Sequence, residues 1–444
     1  MTTVWRGHLF HLTGAPTLAD AASSLIEHTD GMVVVSDAGQ ISAAGAWNQS
    51  SVPEGAAVHD HRGQCILPGF VDTHAHYPQV NALHTWGGGS LLRWLDHCIF
   101  PAEAELADPS IARMAAKDVI DAMLACGTTT ALIYGSQFSA AQDALFDELH
   151  AQGMRAVVGR TAMVNGPKDL TAPIDETLRL CREEIDRWHP RAEALDDALV
   201  HVALVPRFAL SFDGETLGAI GELWADVRDR GVRFTTHLSE NPEEVEAVRR
   251  AFGVSHYLDA YDACGLLGPR SVLAHAVHCD DHEIARLAET DSAVSHCPTS
   301  QLFLGNGTMP IAKMMAAGIR LGLGTDVAAG DTFSLPEVAN AAYKVHVGAS
   351  ARQALHPAEL LHLATIGGAG LLGLSHRTGN LDPGKDADLV IIDPERHPPL
   401  AGRLSGLAAG SPVDRLFALL MGMGRETIVR TLVRGRVVWQ RRDR

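Results

Sequence analysis

Between residues 66 and 326, apolar runs of strand length recur, and most gaps between them carry amphipathic helical patterns. The runs are ILPGFVDTH (66–74), TTTALIY (128–134), RAVVGRTAMV (155–164), LVHVALVPRF (199–208), VRFTTHLS (232–239), SVLAHAVH (271–278), SAVSHCP (292–298) and IRLGLGTD (319–326). Each reads as a strand. Between them lie PSIARMAAKDVIDAMLACG, AAQDALFDELHAQG, DETLRLCREEIDRWH and PEEVEAVRRAFG, several closing on Gly at the expected helix stop. Eight strand–helix units predict an α/β fold, a (β/α)8 TIM-type barrel.

The two ends have a different pattern. Residues 3–66 contain GMVVVSDAGQISAAG, two short strands around a Gly turn. Residues 379–444 contain ADLVIID and TIVRTLVRGRVVWQ, again short strands with a turn. Both flanks read as all-β. Paired with each other, they would form a small discontinuous β-sandwich beside the barrel. The expected division is 1–66, 67–378 and 379–444.

Composition narrows the classes of partner. Apolar residues make up 46% and charged residues 20% of the 444, as in ordinary globular proteins. The net charge of −17 argues against nucleic acid as partner, because phosphate binding needs clustered Lys and Arg. The opening MTTVWRGHLFHLTGAP lacks the apolar core of a signal peptide. No run approaches the roughly 18 to 20 apolar residues of a membrane span, and LFALLMGMG is too short. Seven dispersed cysteines without a C-x-x-C fit reduced thiols and a cytoplasmic setting. A small-molecule substrate is the remaining expectation.

The first predicted barrel strand ends in His74 and His76. On a strand, residues i and i+2 share a face, so both imidazoles would aim at one point and could share a metal. With 23 histidines in the chain, one H-x-H is expected by chance, and a second one, His59 and His61, falls in a polar, strand-poor stretch. Position separates the two. Barrel active sites sit at the carboxyl ends of the strands. The fourth run ends there in Arg207 and Phe208, the fifth in His237 and Glu240, the sixth in His275 and the eighth in Asp326. Each alone has an ordinary explanation as a core histidine, a helix cap or a surface ion pair. Together they offer imidazoles and a carboxylate to one divalent metal, zinc or iron.

The motifs PGFVDTHAHYPQ, THLSE, LAHAVH, SHCPTS and LGTDVAAG resemble the amidohydrolase superfamily. More narrowly, HYPQ, LLRWLDHCIFPAE, ACGTTTALIYGS, VPRFALS and CPTSQLFLGNG resemble the guanine deaminase family, in its order and over nearly the whole chain. Two positions depart from the family's habit: Arg93 stands where Glu is usual, and Gln301 where Asn is usual.

The resemblance implies a single-metal site, because the fourth run lacks the bridging Lys of dinuclear relatives. It makes His74, His76, His237 and Asp326 the metal ligands. It implies water attack at C2 of guanine, giving xanthine and ammonia in purine catabolism. Asp326 would take a proton from water, Glu240 would shuttle it to the purine, and His275 would orient the nucleophile. Gln79, Arg207 and Phe208 would contact the base, alongside His76, His237, Glu240 and Asp326. The family is commonly dimeric, so a homodimer is expected.

Overall fold

The computed structural model describes residues 1–349, 352–407 and 409–442. The strands in chain order are β1 (Thr3–Leu12), β2 (Leu25–Val35), β3 (Ile41–Ala46), β4 (Ala57–Pro68), β5 (Phe70–His76), β6 (Thr128–Tyr134), β7 (Arg155–Gly159), β8 (Thr161–Ala162), β9 (Val200–Pro206), β10 (Arg233–Leu238), β11 (Ser271–His275), β12 (Ala293–His296), β13 (Leu321–Leu323), β14 (Leu389–Ile392), β15 (Ile428–Val433) and β16 (Arg436–Gln440).

Every one of the eight predicted runs holds a barrel strand. They pair in parallel in the order β5-β6-β7-β9-β10-β11-β12-β13, with β8 added beside β9. The ring closes between its first and last strands through side chains and loop backbone. The Thr73 hydroxyl donates to the Leu323 carbonyl at 2.9 Å, and Asp326 N–H donates to the His74 carbonyl at 2.8 Å. Inside the ring, Val71, Leu132, Val157, Ala203 and Val272 pack together. Outside, helices such as Pro109–Ala125 and Gly214–Val227 bury an apolar face against the strands.

The first run divides into two strands at Pro68-Gly69. Its opening residues, through Pro68, finish β4, and the barrel strand begins at Phe70. Gly69 lies between. A Cβ there would sit 2.2 Å from the side chain of Thr129, so only glycine lets the chain cross so close to β6.

The chain ends form one seven-stranded sheet, ordered β16-β15-β14-β4-β1-β2-β3, antiparallel except for β1 on β4. The two flanks pair along β4 and β14, as expected. Trp5, Leu9, Val33, Ile66, Leu389 and Leu432 share one apolar cluster, and a bridge from Gln40 to Asp386 brings the β3 edge back toward β14. Small domain and barrel meet at a buried ion network: Arg155 at the start of β7 reaches Asp386 at 2.6 Å and Asp388 at 3.2 Å.

Two expectations need correction. The C-terminal flank is not all-β: helices Pro398–Gly406 and Pro412–Gly422 interrupt it. Ser411 caps the second, Pro412 suits its first turn, and Leu416, Leu419 and Leu420 recur at helical spacing on its buried side. Much of LFALLMGMG lies in this helix. Likewise the polar stretch around His59 and His61 is part of β4, where His59 stacks on Trp5 at 4.1 Å and His61 bonds to Gln64. Among the described residues no helix is long and apolar enough to cross a membrane.

Candidate active site

The carboxyl ends of the barrel strands converge on a buried cluster. β5 delivers His74 and His76 from one face, as alternation requires. Their Nε2 atoms lie 3.1 Å apart, and His237 Nε2 from β10 lies 3.2 Å from that of His76. Asp326, three residues beyond β13, places Oδ1 3.2 Å from Nε2 of both His74 and His76. His275 at the end of β11 joins His74, His237 and Asp326 in a group whose donor atoms all lie within 4.8 Å of one another. His275 and Asp326 have positive φ, 74° and 51°. Such conformations cost energy in non-glycine residues and concentrate at functional sites.

The protonation of His237 decides what the cluster is for. Its Nδ1 faces the carbonyl of Arg207, which can only accept, so Nδ1 carries the hydrogen and Nε2 a lone pair. Burial favours the neutral imidazole further: it pushes His76 down to about 4, His275 to about 3, and His237 well below the usual histidine value. Neutral imidazole nitrogens and a carboxylate oxygen facing one another at about 3 Å repel unless a cation sits among them. The donor set, three imidazoles and a carboxylate with a fourth imidazole beside it, fits a borderline-soft divalent metal.

Neighbours fix these side chains in place. The Tyr134 ring packs edge-on against His74 and His237, and its hydroxyl meets Thr235 at 2.9 Å. Asp72 accepts from the backbone N–H groups of His74 and Thr325 at 3.1 and 3.0 Å and from the Thr325 hydroxyl, joining the first and last barrel strands directly below the cluster. Sequence reading missed Asp72, although its signal was present: 72, 74 and 76 share one strand face.

Two carboxyl groups flank the cluster with opposite tendencies. Burial, reinforced by the charges of Asp326 and Glu244, holds Glu240 well above the usual carboxylate range. Asp326 is buried too, yet contact with the imidazoles of His74, His76 and His275 outweighs that and keeps it well below. A protonated carboxyl beside an ionised one is the arrangement that general acid–base chemistry requires. Glu240 Oε2 lies 3.5 Å from His275 Nε2.

Above the cluster a cavity is lined by His76, Gln79, Arg207, Phe208, Glu240 and Asp326 among others, with Leu91, Trp94 and Leu304 as apolar walls. Every residue singled out from the sequence as ligand, catalyst or substrate contact therefore falls in this cluster or lines its cavity. Glu103 was missed. It is buried and bonds to both Gln79 and Arg207. Of the two unusual positions, Arg93 is exposed, and Gln301 is buried with no hydrogen-bond partner for its side-chain amide among the described residues. A second group, His256, Asp259 and His282, is partly exposed, and its histidines already pair with Asp280 at 2.6 Å and Asp259 at 3.3 Å.

Comparison with known proteins gives a consistent answer. The sequence profile of the amidohydrolase family matches residues 65–438. A probable guanine deaminase from Deinococcus radiodurans is 38% identical, over 99% of this chain and 99% of its own. Among solved structures, guanine deaminase from E. coli superposes with a TM-score of 0.91 at 33% identity, covering 100% of both chains. Guanine deaminase from C. acetobutylicum, with guanine bound in its active site, gives a TM-score of 0.86 at 26% identity over 99% of this chain and 100% of that one.

Proposed function

The chain belongs to the amidohydrolase family, and from that premise we propose that it hydrolyses guanine to xanthine and ammonia. The observation that carries the choice of substrate is the pairing within one cavity of a metal-type cluster and the polar side chains of Gln79 and Arg207.

His74, His76, His237 and Asp326 would hold one metal ion, and their donor set favours zinc, with iron also suited. Bound there, the ion supplies the Lewis acidity that lets water act as a nucleophile near neutral pH. The protein's own groups do the rest. Ionised Asp326 accepts a proton from the attacking water. Protonated Glu240 gives its proton to the ring nitrogen next to C2 as that carbon becomes tetrahedral. His275, between Glu240 and Asp326, orients the nucleophile. Glu240, now ionised, collects from Asp326 the proton taken from water and passes it to the amino group; the C2–N bond breaks, ammonia leaves, and the proton of the C2 hydroxyl restores the acid form of Glu240. Gln79 and Arg207 hold the oxo edge of the base, with Phe208 as an apolar wall. A homodimeric cytoplasmic enzyme of purine breakdown is the setting that this chemistry and the reduced thiols suit.

Incubating purified protein with guanine tests the reading. Xanthine and ammonia should appear in equal amounts as guanine disappears. A metal-loaded preparation that leaves guanine untouched would rule the reading out.

A further inference from the structure

Glu103 lies in the short helix Phe100–Ala104 beside the cavity, yet it does not line the cavity itself. Its Oε1 accepts from Gln79 Nε2 at 2.9 Å and from Arg207 Nη1 at 2.9 Å, and its Oε2 accepts from the same Nη1 at 2.7 Å. Phe100, on the same helix, lies under the Arg207 guanidinium, 5.0 Å from ring centre to Cζ. On its other side, the Gln79 amide accepts from the Ala328 N–H at 3.2 Å.

These partners leave the amide one orientation. A carboxylate can only accept and a backbone N–H can only donate, so the nitrogen of Gln79 must face Glu103 and its oxygen must face Ala328. One N–H of Gln79 remains unused. Among the described residues, Nε and Nη2 of Arg207 also make no protein hydrogen bond. The carboxylate further balances the charge of a buried guanidinium, which would otherwise be costly to keep.

We propose that Glu103 is a positioning residue for substrate choice: by clamping Gln79 and Arg207 together it turns the cavity's reading edge into a set of donors. Such an edge fits two neighbouring acceptors on the substrate. The O6 and N7 atoms of guanine are that pair, whereas an amino group at position 6 presents a donor to donors. The inference rests on the guanine reading and adds the residue that enforces it.

The test compares kcat and KM for guanine and for 2,6-diaminopurine in wild type, Glu103→Gln and Glu103→Asp, together with crystal structures of wild type and Glu103→Gln. Wild type should prefer guanine strongly. In Glu103→Gln the ratio of kcat/KM values should fall by about 10-fold or more, through a higher KM for guanine rather than a lower kcat. Glu103→Asp, which keeps the carboxylate, should recover part of the preference, and it supplies the comparison if Glu103→Gln does not fold. A purely structural role would weaken both substrates equally and leave the ratio unchanged, which overturns the proposal. If wild type proves inactive on guanine, the functional reading fails instead, and the structures decide the role of Glu103. Gln79 and Arg207 should then shift in the variant, and side chains that stay in place would refute the clamp.

Discussion

The side-chain amide of Asn306 donates to Oε1 of Glu240 at 2.8 Å, and Asn241 in turn donates to the oxygen of Asn306 at 2.8 Å. An amide N–H cannot accept, so the proton of a neutral Glu240 resides on Oε2, the oxygen nearer His275. The acid is thus aimed before substrate arrives. Glu240→Gln keeps the shape without the transferable proton. It should hold its metal at wild-type stoichiometry and lose about 10²- to 10⁴-fold in kcat. Near-normal turnover in that variant would remove Glu240 from the mechanism.

His237→Ala deletes one of the proposed ligands. Elemental analysis should find one tightly held metal per chain in wild type and much less in the variant, with activity down by at least about 100-fold. Removing the ion with a chelator and restoring it should abolish and then recover wild-type activity. Two tightly bound ions per active chain would contradict the single-metal assignment.

Arg207→Met removes a buried charge from its partner. Glu103 is left buried without a counter-charge, a loss that typically costs about 3–5 kcal/mol. Thermal unfolding should therefore show a marked drop in Tm for the single variant. The double variant Arg207→Met, Glu103→Gln should regain part of that loss, because no unpaired charge is left behind. Both variants should turn over guanine poorly. A double variant no more stable than the single one would show that the pair is not coupled.

Stability should depend on pH through a carboxyl far from the reaction. Burial holds Glu184 up at about 7, against an ordinary value of 4.5, although Arg160 and Gln142 partly oppose this. Because the folded value is the higher one, the group's contribution is full below about pH 4.5 and disappears as pH rises through 7. At about 1.36 kcal/mol per pKa unit the full change comes to somewhat over 3 kcal/mol. Wild type should lose more Tm between pH 5 and pH 8 than Glu184→Gln does. Parallel curves would show that Glu184 does not titrate in this window.

Much of this was legible in the sequence because strand alternation and strand ends are local facts. His74 and His76 declare their shared face by spacing alone, and Asp326 by closing the last apolar run. Asp72 and Glu103 were not found, since each matters through partners far along the chain, Thr325 for one and Arg207 for the other. Glu103, on a short helix, leaves no periodic trace, whereas Asp72 stands on the strand face that His74 and His76 share. The helix Pro412–Gly422, like Pro398–Gly406 before it, was read as part of a β flank because strands β14 and β15 bracket the pair. Its cap and its 3–4 spacing were weaker signals than the Val- and Ile-rich runs around it.

The β4–β14 ladder has a consequence for how such a molecule can be rebuilt. Gly69, where the chain enters the barrel, donates to the carbonyl of Asp388, where it has come back, at 2.9 Å. The whole catalytic barrel is thus an insert whose two stems leave the host sheet side by side. Any replacement whose ends emerge as an adjacent pair could be grafted at the same seam without re-registering β4 on β14. For the same reason the barrel's ends could be spliced to each other by a short connector and new termini opened in a surface loop far from His74 and His76.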